Sequence, residues 1–199
     1  MIAVIDYGVG NLGSVKNALD YLGLENIITS KPEEILSADK IILPGVGAFS
    51  DAMEAFLHLG LDKVLNQCIE QGKPILGICV GMQMLFEGSY EYGYHKGLAI
   101  FKGNIIRFDD TSYKVPHIGW NQIEVVKENP LLKGVHNEHV YFVHSYHVDN
   151  SLFSIATTTY ADTTFPCVVA KDNIYATQFH PEKSGSVGLK ILKNFGDIR

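Results

Sequence analysis

Pro74-Ile75-Leu76-Gly77-Ile78-Cys79-Val80-Gly81-Met82-Gln83-Met84-Leu85-Phe86 carries the reading of this chain. Pro74–Ile78 is a short apolar run of strand type, and Met82–Phe86 opens a helix. Between them lies a cysteine with glycine two places before it and two places after. A sharp strand-to-helix turn crowds those two positions, so small residues there mark a nucleophile elbow. The turn would point the sulfur at solvent, leave the Val80 amide free to donate to an oxyanion, and set the thiolate at a helix N-terminus. The bland alternative is a buried cysteine in a glycine-rich strand end.

Outward from that stretch, strands alternate with helices. Ile2–Tyr7 reads as a buried strand and Asn11–Leu22 as a helix with Leu12, Val15, Leu19 and Leu22 on one face. A short strand near Ile27-Ile28 precedes Lys40–Leu43, which Pro44-Gly45 ends; Asp51–Leu57 and Leu61–Gln71 read as helices. This alternation predicts an α/β fold with a mostly parallel central sheet flanked by helices. The second half changes character. Gly103–Phe108, Asn121–Val126, Val140–Val148 and Phe153–Tyr160 read as strands, and Lys171-Asp172-Asn173 reads as a hairpin between Val168–Ala170 and Ile174–Phe179. Val187–Phe195 closes the chain as an amphipathic helix. Antiparallel strands are therefore expected to extend a parallel core of flavodoxin-like type. No repeat or linker divides the 199 residues, and a single domain over 1–199 is expected.

Composition bounds the partners. The net charge is −6 with 46% hydrophobic residues, and no Lys/Arg cluster favours nucleic acid or an anionic membrane. Met1 leads straight into Ile2-Ala3-Val4-Ile5 without a basic, cleavable leader, which leads us to expect a cytoplasmic protein. Three cysteines at wide spacing form no disulfide framework. Cys68 sits on the apolar stripe Leu61, Val64, Leu65, Cys68, and Cys167 follows Pro166 at a strand start; both read as structural.

A catalytic cysteine needs a histidine oriented by a third group. Of eight histidines, His180 in His180-Pro181-Glu182 stands at a strand end. Pro181 biases it toward extended geometry, in which Glu182 projects to the same side and can hold one imidazole nitrogen. Metal binding is the rival use of these rings. His144 and His147 lie three apart in a strand-like run, which would send them to opposite faces, and His136/His139 lack a helical pattern. Neither a metal nor a cofactor is expected. Gly8-Val9-Gly10-Asn11-Leu12-Gly13 spells a dinucleotide fingerprint, but Thr29-Ser30-Lys31 occupy the place where that motif needs an acid. Pro44-Gly45-Val46-Gly47-Ala48 ends another parallel strand, and its glycines would let an amide of Val46 or Gly47 join that of Val80 in an oxyanion hole.

Together these residues resemble the class I (triad) glutamine amidotransferases. Asp6–Leu12, Pro44–Phe49, Pro116-His117-Ile118-Gly119-Trp120-Asn121, Tyr141–Tyr146 and Phe179–Ser184 are similar, more narrowly, to the branch of glutaminase subunits that serves imidazole glycerol phosphate synthase in histidine biosynthesis. Val80 stands where that branch usually has Leu. The resemblance implies that Cys79 is the nucleophile, His180 the acid/base and Glu182 its orienter. It implies that Gly47, Gln83, Glu91 and Ser145 hold L-glutamine. It also implies that Asn11, Trp120, Tyr141 and Lys183 face a cyclase subunit, a (β/α)₈ barrel that takes up the ammonia in a heterodimer; for Trp120, packing in the core is the alternative. No stretch of domain size is left to bind an ammonia acceptor. The same glutaminase serving a different synthase, a non-catalytic module on this fold and a free-standing cysteine hydrolase are the competing readings.

Overall fold

A computed structural model describes residues 1–109, 111 and 113–198. The first half runs β1 (Ile2–Ile5), α1 (Leu12–Tyr21), β2 (Asn26–Thr29), α2 (Pro32–Ser37), β3 (Lys40–Gly45), α3 (Phe49–His58), α4 (Leu61–Glu70), β4 (Ile75–Cys79) and α5 (Val80–Met84). The second half adds β5 (Gly88–Ser89), β6 (His95–Lys96), β7 (Asn104–Arg107), β8 (His117–Gln122), β9 (Glu124–Val125), β10 (His139–His144), β11 (Tyr146–Val148), β12 (Ser154–Tyr160), β13 (Thr163–Lys171), β14 (Ile174–Thr177) and α6 (Gly185–Asp197).

The main sheet has the order β2-β1-β3-β4-β14-β13-β12-β9. The members from β2 to β14 pair in parallel, and the rest continue it antiparallel. This is the mixed architecture expected from the sequence. β1, β4 and β14 are buried along their whole length, as strands covered on both faces must be. The covering helices repeat one spacing. Phe49, Ala52, Met53 and Phe56 of α3, Leu61, Val64, Leu65 and Cys68 of α4, and Gly188, Ile191, Leu192 and Phe195 of α6 are the buried residues, at i, i+3, i+4 and i+7. Each large side chain so buried contributes roughly 1.5–3 kcal/mol. Cys68 and Cys167 are both fully buried and burial raises both thiols, in keeping with structural roles; Cys167 lies inside β13, not at a strand start.

Several boundaries differ from expectation. The run Val140–Val148 breaks at Ser145: β10 pairs with β8, whereas β11 joins a separate sheet beside β7. The break overturns the argument that His144 and His147 face opposite ways, because both rings pack on Phe108. The Pro116–Asn121 segment supplies most of β8, and Asn121–Val126 divides into the end of β8 and the short β9. α2, β5 and β6 were not anticipated. Among the described residues no helix is long and apolar enough to cross a membrane, and no group of three or more His, Cys, Asp and Glu could hold a metal ion.

Candidate active site

The sheet brings the sequence-selected residues together at the carboxyl ends of its parallel strands, where open α/β sheets form their crevice. β3 and β4 run side by side in a register that sets Gly45 against Cys79. Cys79 has φ 55 and ψ −110, a left-handed conformation that costs a non-glycine residue about 1–3 kcal/mol. The flanking glycines allow it. A Cβ on Gly81 would lie 1.9 Å from the Leu43 carbonyl oxygen, and one on Gly77 would lie 2.9 Å from the Gly81 oxygen. The elbow is therefore wedged directly against β3. Contrary to the sequence reading, the sulfur does not meet open solvent: Cys79 is 4% exposed and lines a cavity of about 300 Å³ with Val46, Gly47, Val80, Gln83 and His180.

His180 follows β14 in extended geometry, with φ −97 and ψ 98. Pro181–Lys183 then forms a 3-10 turn, so Glu182 comes round by that turn and not along extended chain as expected. The contact forms all the same, and His180 Nδ1 lies 2.7 Å from Glu182 Oε1 with both side chains buried. Nε2, across the ring, is buried and makes no hydrogen bond within the chain. Burial acts to lower the imidazole, but the neighbouring Cys79 and Glu182 outweigh it and push it up to about 10. A thiol, a buried imidazole and a carboxylate so arranged can exchange an acyl group through a thioester.

The rest of the cavity wall comes from three directions. Gln83, on α5, donates from Nε2 to the Tyr146 carbonyl at 3.0 Å. Glu91 accepts from the Phe49 amide at 2.6 Å, which places its charge at the N-terminus of α3. Ser145 reaches the cavity at the break between β10 and β11. Val46 and Gly47 line it from the end of β3. The two loop glycines serve different needs. Gly47 has φ +86 with open space around it, whereas a Cβ on Gly45 would meet the Gly81 nitrogen at 2.6 Å and the Tyr7 hydroxyl at 2.8 Å. The sequence reading gave both the same conformational reason; for Gly45 the reason is close approach.

Trp120, Tyr141 and Lys183 gather outside the cavity. Trp120 stands opposite Tyr141 in the β8–β10 register, with ring centroids 6.3 Å apart. Trp120 is 56% exposed and so is not core filler. Lys183 is exposed on the Pro181–Lys183 turn, and Asn11, partly exposed, precedes α1, which packs on that turn.

Three residues of the site were not singled out from the sequence. Tyr7, buried, donates to the Pro44 carbonyl at 2.6 Å, and burial, then the Cys79 charge, raises its hydroxyl. Gln178 approaches the sulfur with its amide nitrogen at 3.9 Å. Ser184 donates to the His180 carbonyl at 2.6 Å. Tyr7 and Gln178 act across the fold, whereas the Ser184 hydroxyl reaches back four residues to His180; only Gln178, two places before His180 on the same side of an extended chain, left any trace in the sequence.

The family described as Glutamine amidotransferase class-I matches residues 3–198, and the chain belongs to it. Among relatives, imidazole glycerol phosphate synthase subunit HisH of Caldanaerobacter subterraneus subsp. tengcongensis is 51% identical over 100% of this chain and 98% of its own length. The subunit of that name in Listeria innocua is 48% identical over 100% of this chain and 96% of its own. A crystal structure of a glutamine amidotransferase superimposes with a TM-score of 0.76 at 20% identity, covering 98% of this chain and 100% of its own, a likeness that bears on the fold.

Proposed function

We propose that this chain is the glutaminase subunit of an imidazole glycerol phosphate synthase, hydrolysing L-glutamine to glutamate and ammonia for a cyclase subunit. One observation carries the chemistry: Cys79, on a strained elbow, shares a single cavity with His180, whose far nitrogen is held 2.7 Å from Glu182. The relatives at 51% and 48% identity over the full chain support the choice of synthase. The chain is read as one glutamine amidotransferase domain. With no membrane-crossing helix among the described residues and all three cysteines unbridged, we place it in the cytoplasm.

In the proposed reaction the Cys79 thiolate attacks the side-chain amide carbon of glutamine, held by Gly47, Gln83, Glu91 and Ser145. The Val80 amide and an amide of Val46 or Gly47 receive the developing oxyanion; one such donor lowers the barrier by roughly 3–4 kcal/mol. The His180 imidazolium gives its proton to the departing nitrogen, the C–N bond breaks, and ammonia leaves. The neutral imidazole then takes a proton from water, which attacks the γ-glutamyl thioester and releases glutamate and the thiol. Glu182 keeps the ring oriented throughout. Asn11, Trp120, Tyr141 and Lys183 form the face that meets the cyclase.

The test is Cys79→Ser in the complex. Glutamate release is expected to be lost, while synthesis from added ammonium salt persists because the acceptor site is on the cyclase. Near-normal glutamine turnover in this variant would overturn the mechanism.

A further inference from the structure

Gln178 is 1% exposed and sits between Cys79 and Gln83. Its Nε2 lies 3.9 Å from Cys79 Sγ, and its Oε1 lies 3.2 Å from Gln83 Nε2. The direction of these contacts is fixed by a backbone atom. The Tyr146 carbonyl can only accept, and it faces both Gln83 Nε2 at 3.0 Å and His144 Nδ1 at 2.8 Å. Gln83 therefore presents its NH₂ group, and its second hydrogen falls to Gln178 Oε1. With that oxygen accepting, the amide nitrogen of Gln178 is left facing the sulfur as a donor. The same logic runs outward. His144, held neutral by burial at about 3, has its proton on Nδ1, so its Nε2 accepts from His117 Nδ1 at 3.1 Å.

Among the described residues, His180 and Tyr7 act on Cys79 directly, and Glu91 and His144 share its cavity. The Tyr7 hydroxyl is taken up by the Pro44 carbonyl, and Glu182 is paired with His180. The sulfur thus has two donors available from one strand end: the His180 imidazolium and the Gln178 amide, two residues apart. The imidazolium must surrender its proton to the leaving nitrogen during the reaction. The amide does not, and it can hold the sulfur in place through that transfer.

We infer that Gln178 is a positioning residue for the nucleophile, its carboxamide donating to the Cys79 thiolate while its oxygen fixes the orientation of Gln83. This inference rests on Cys79 being the nucleophile. Donation converges on the Tyr146 carbonyl from His144 and from Gln83 and runs from Gln83 through Gln178 to the sulfur, so a flip of either amide would break the contact at Cys79.

The experiment compares the parent chain with Gln178→Met, of similar shape without either polar group, and Gln178→Glu, which keeps the acceptor, loses the donor and adds a negative charge. Alkylation of Cys79 by iodoacetamide is followed across pH, with glutaminase kcat and KM measured in the complex. For Gln178→Met the neutral-pH alkylation rate is expected to fall about tenfold and its pH midpoint to rise about one unit, the loss of one hydrogen bond to a charged acceptor. Gln178→Glu is expected to move the midpoint further in the same direction, with kcat falling more than KM rises in both. Where a variant fails to fold, the side-chain amide resonance of Gln178 in the ¹⁵N-labelled parent decides. It is expected to move with the thiolate titration and to shift on alkylation, and a resonance unmoved by either overturns the inference. A reactive parent Cys79 with superimposable profiles in the folded variants overturns it alone; an unreactive parent Cys79 overturns the nucleophile assignment as well.

Discussion

The amide of His180 donates to the carbonyl of Tyr141 at 3.1 Å. Tyr141 in turn donates from its own amide to Ser184 Oγ at 2.9 Å, and that hydroxyl donates back to the His180 carbonyl. β10, whose half-buried Tyr141 stands beside the exposed Trp120 of β8, is thereby bonded at two points to the segment that holds the proposed acid/base. A chain that docks on Trp120 and Tyr141 bears directly on the geometry of His180, through one backbone bond and the Ser184 hydroxyl.

Ser184→Ala removes both side-chain bonds of that ring and leaves the triad intact. The expected result is a kcat lowered about tenfold, from the loosening of one well-placed group, with binding of the cyclase unchanged. Trp120→Ala gives the opposite pattern, because its ring is surface and not core. Association with the cyclase is expected to weaken about tenfold or more, while the chain alone keeps its thermal midpoint. Titration calorimetry and steady-state kinetics on the two variants separate these outcomes.

The pH behaviour follows from His180. Its imidazole is pushed up to about 10 against burial by Cys79 and Glu182. Because this lies above the ordinary 6.5, the contribution of these contacts to stability is complete below that pH and fades as pH rises through about 10. Glu182→Gln removes one cause of the rise, so the imidazolium loses its proton at lower pH and the alkaline limb of kcat moves down. The activity loss at neutral pH is expected to be milder than for His180→Ala, which approaches that of Cys79→Ser. A pH–rate profile of Glu182→Gln that superimposes on the parent profile would remove Glu182 from the site.

The two loop glycines are expected to fail differently. Gly45→Ala forces a methyl group into the Gly81 nitrogen and is expected to destabilise the whole chain, since the contact is backbone on both sides. Gly47→Val has space but a φ of +86, so the fold loses only about 1–2 kcal/mol while activation by the cyclase is impaired more than docking. Equal thermal midpoints for the two variants would contradict this division.

What the sequence made legible was local. The Gly77–Gly81 elbow and His180-Pro181-Glu182 each occupy a few consecutive residues, and their chemistry is written in residue type and spacing. The parallel core was legible because β1, β3 and β4 are apolar runs alternating with helices, of which α3 and α4 carry an i, i+3, i+4, i+7 stripe. α2 escaped because its six residues bury only Ile35, too few for a period to emerge, although Pro32 and the acidic pair Glu33 and Glu34 mark a helix start. The break at Ser145 escaped because no Gly or Pro marks it and His144 and His147 around it are both buried, so Val140–Val148 reads as one strand. Gln178, Tyr7 and Ser184 escaped because their partners lie 99, 37 and 43 residues away. Contacts of that range become visible only when the strands are in register.

The central claim is that this chain is a gated source of ammonia for a partner and not an independent hydrolase. The Pro44–Gly47 loop is proposed as the movable element: the Tyr7 hydroxyl holds the Pro44 carbonyl, and Gly47, with its left-handed φ of +86, suits a peptide that can turn over. On that proposal, cyclase binding would act through differential contacts with two states of the loop. The most direct measurement is glutamate release from L-glutamine by the purified chain, first alone and then with the cyclase subunit and its nucleotide substrate. Slow release alone, rising by orders of magnitude with both present, is the predicted result; full activity alone, unchanged by the partner, would contradict it.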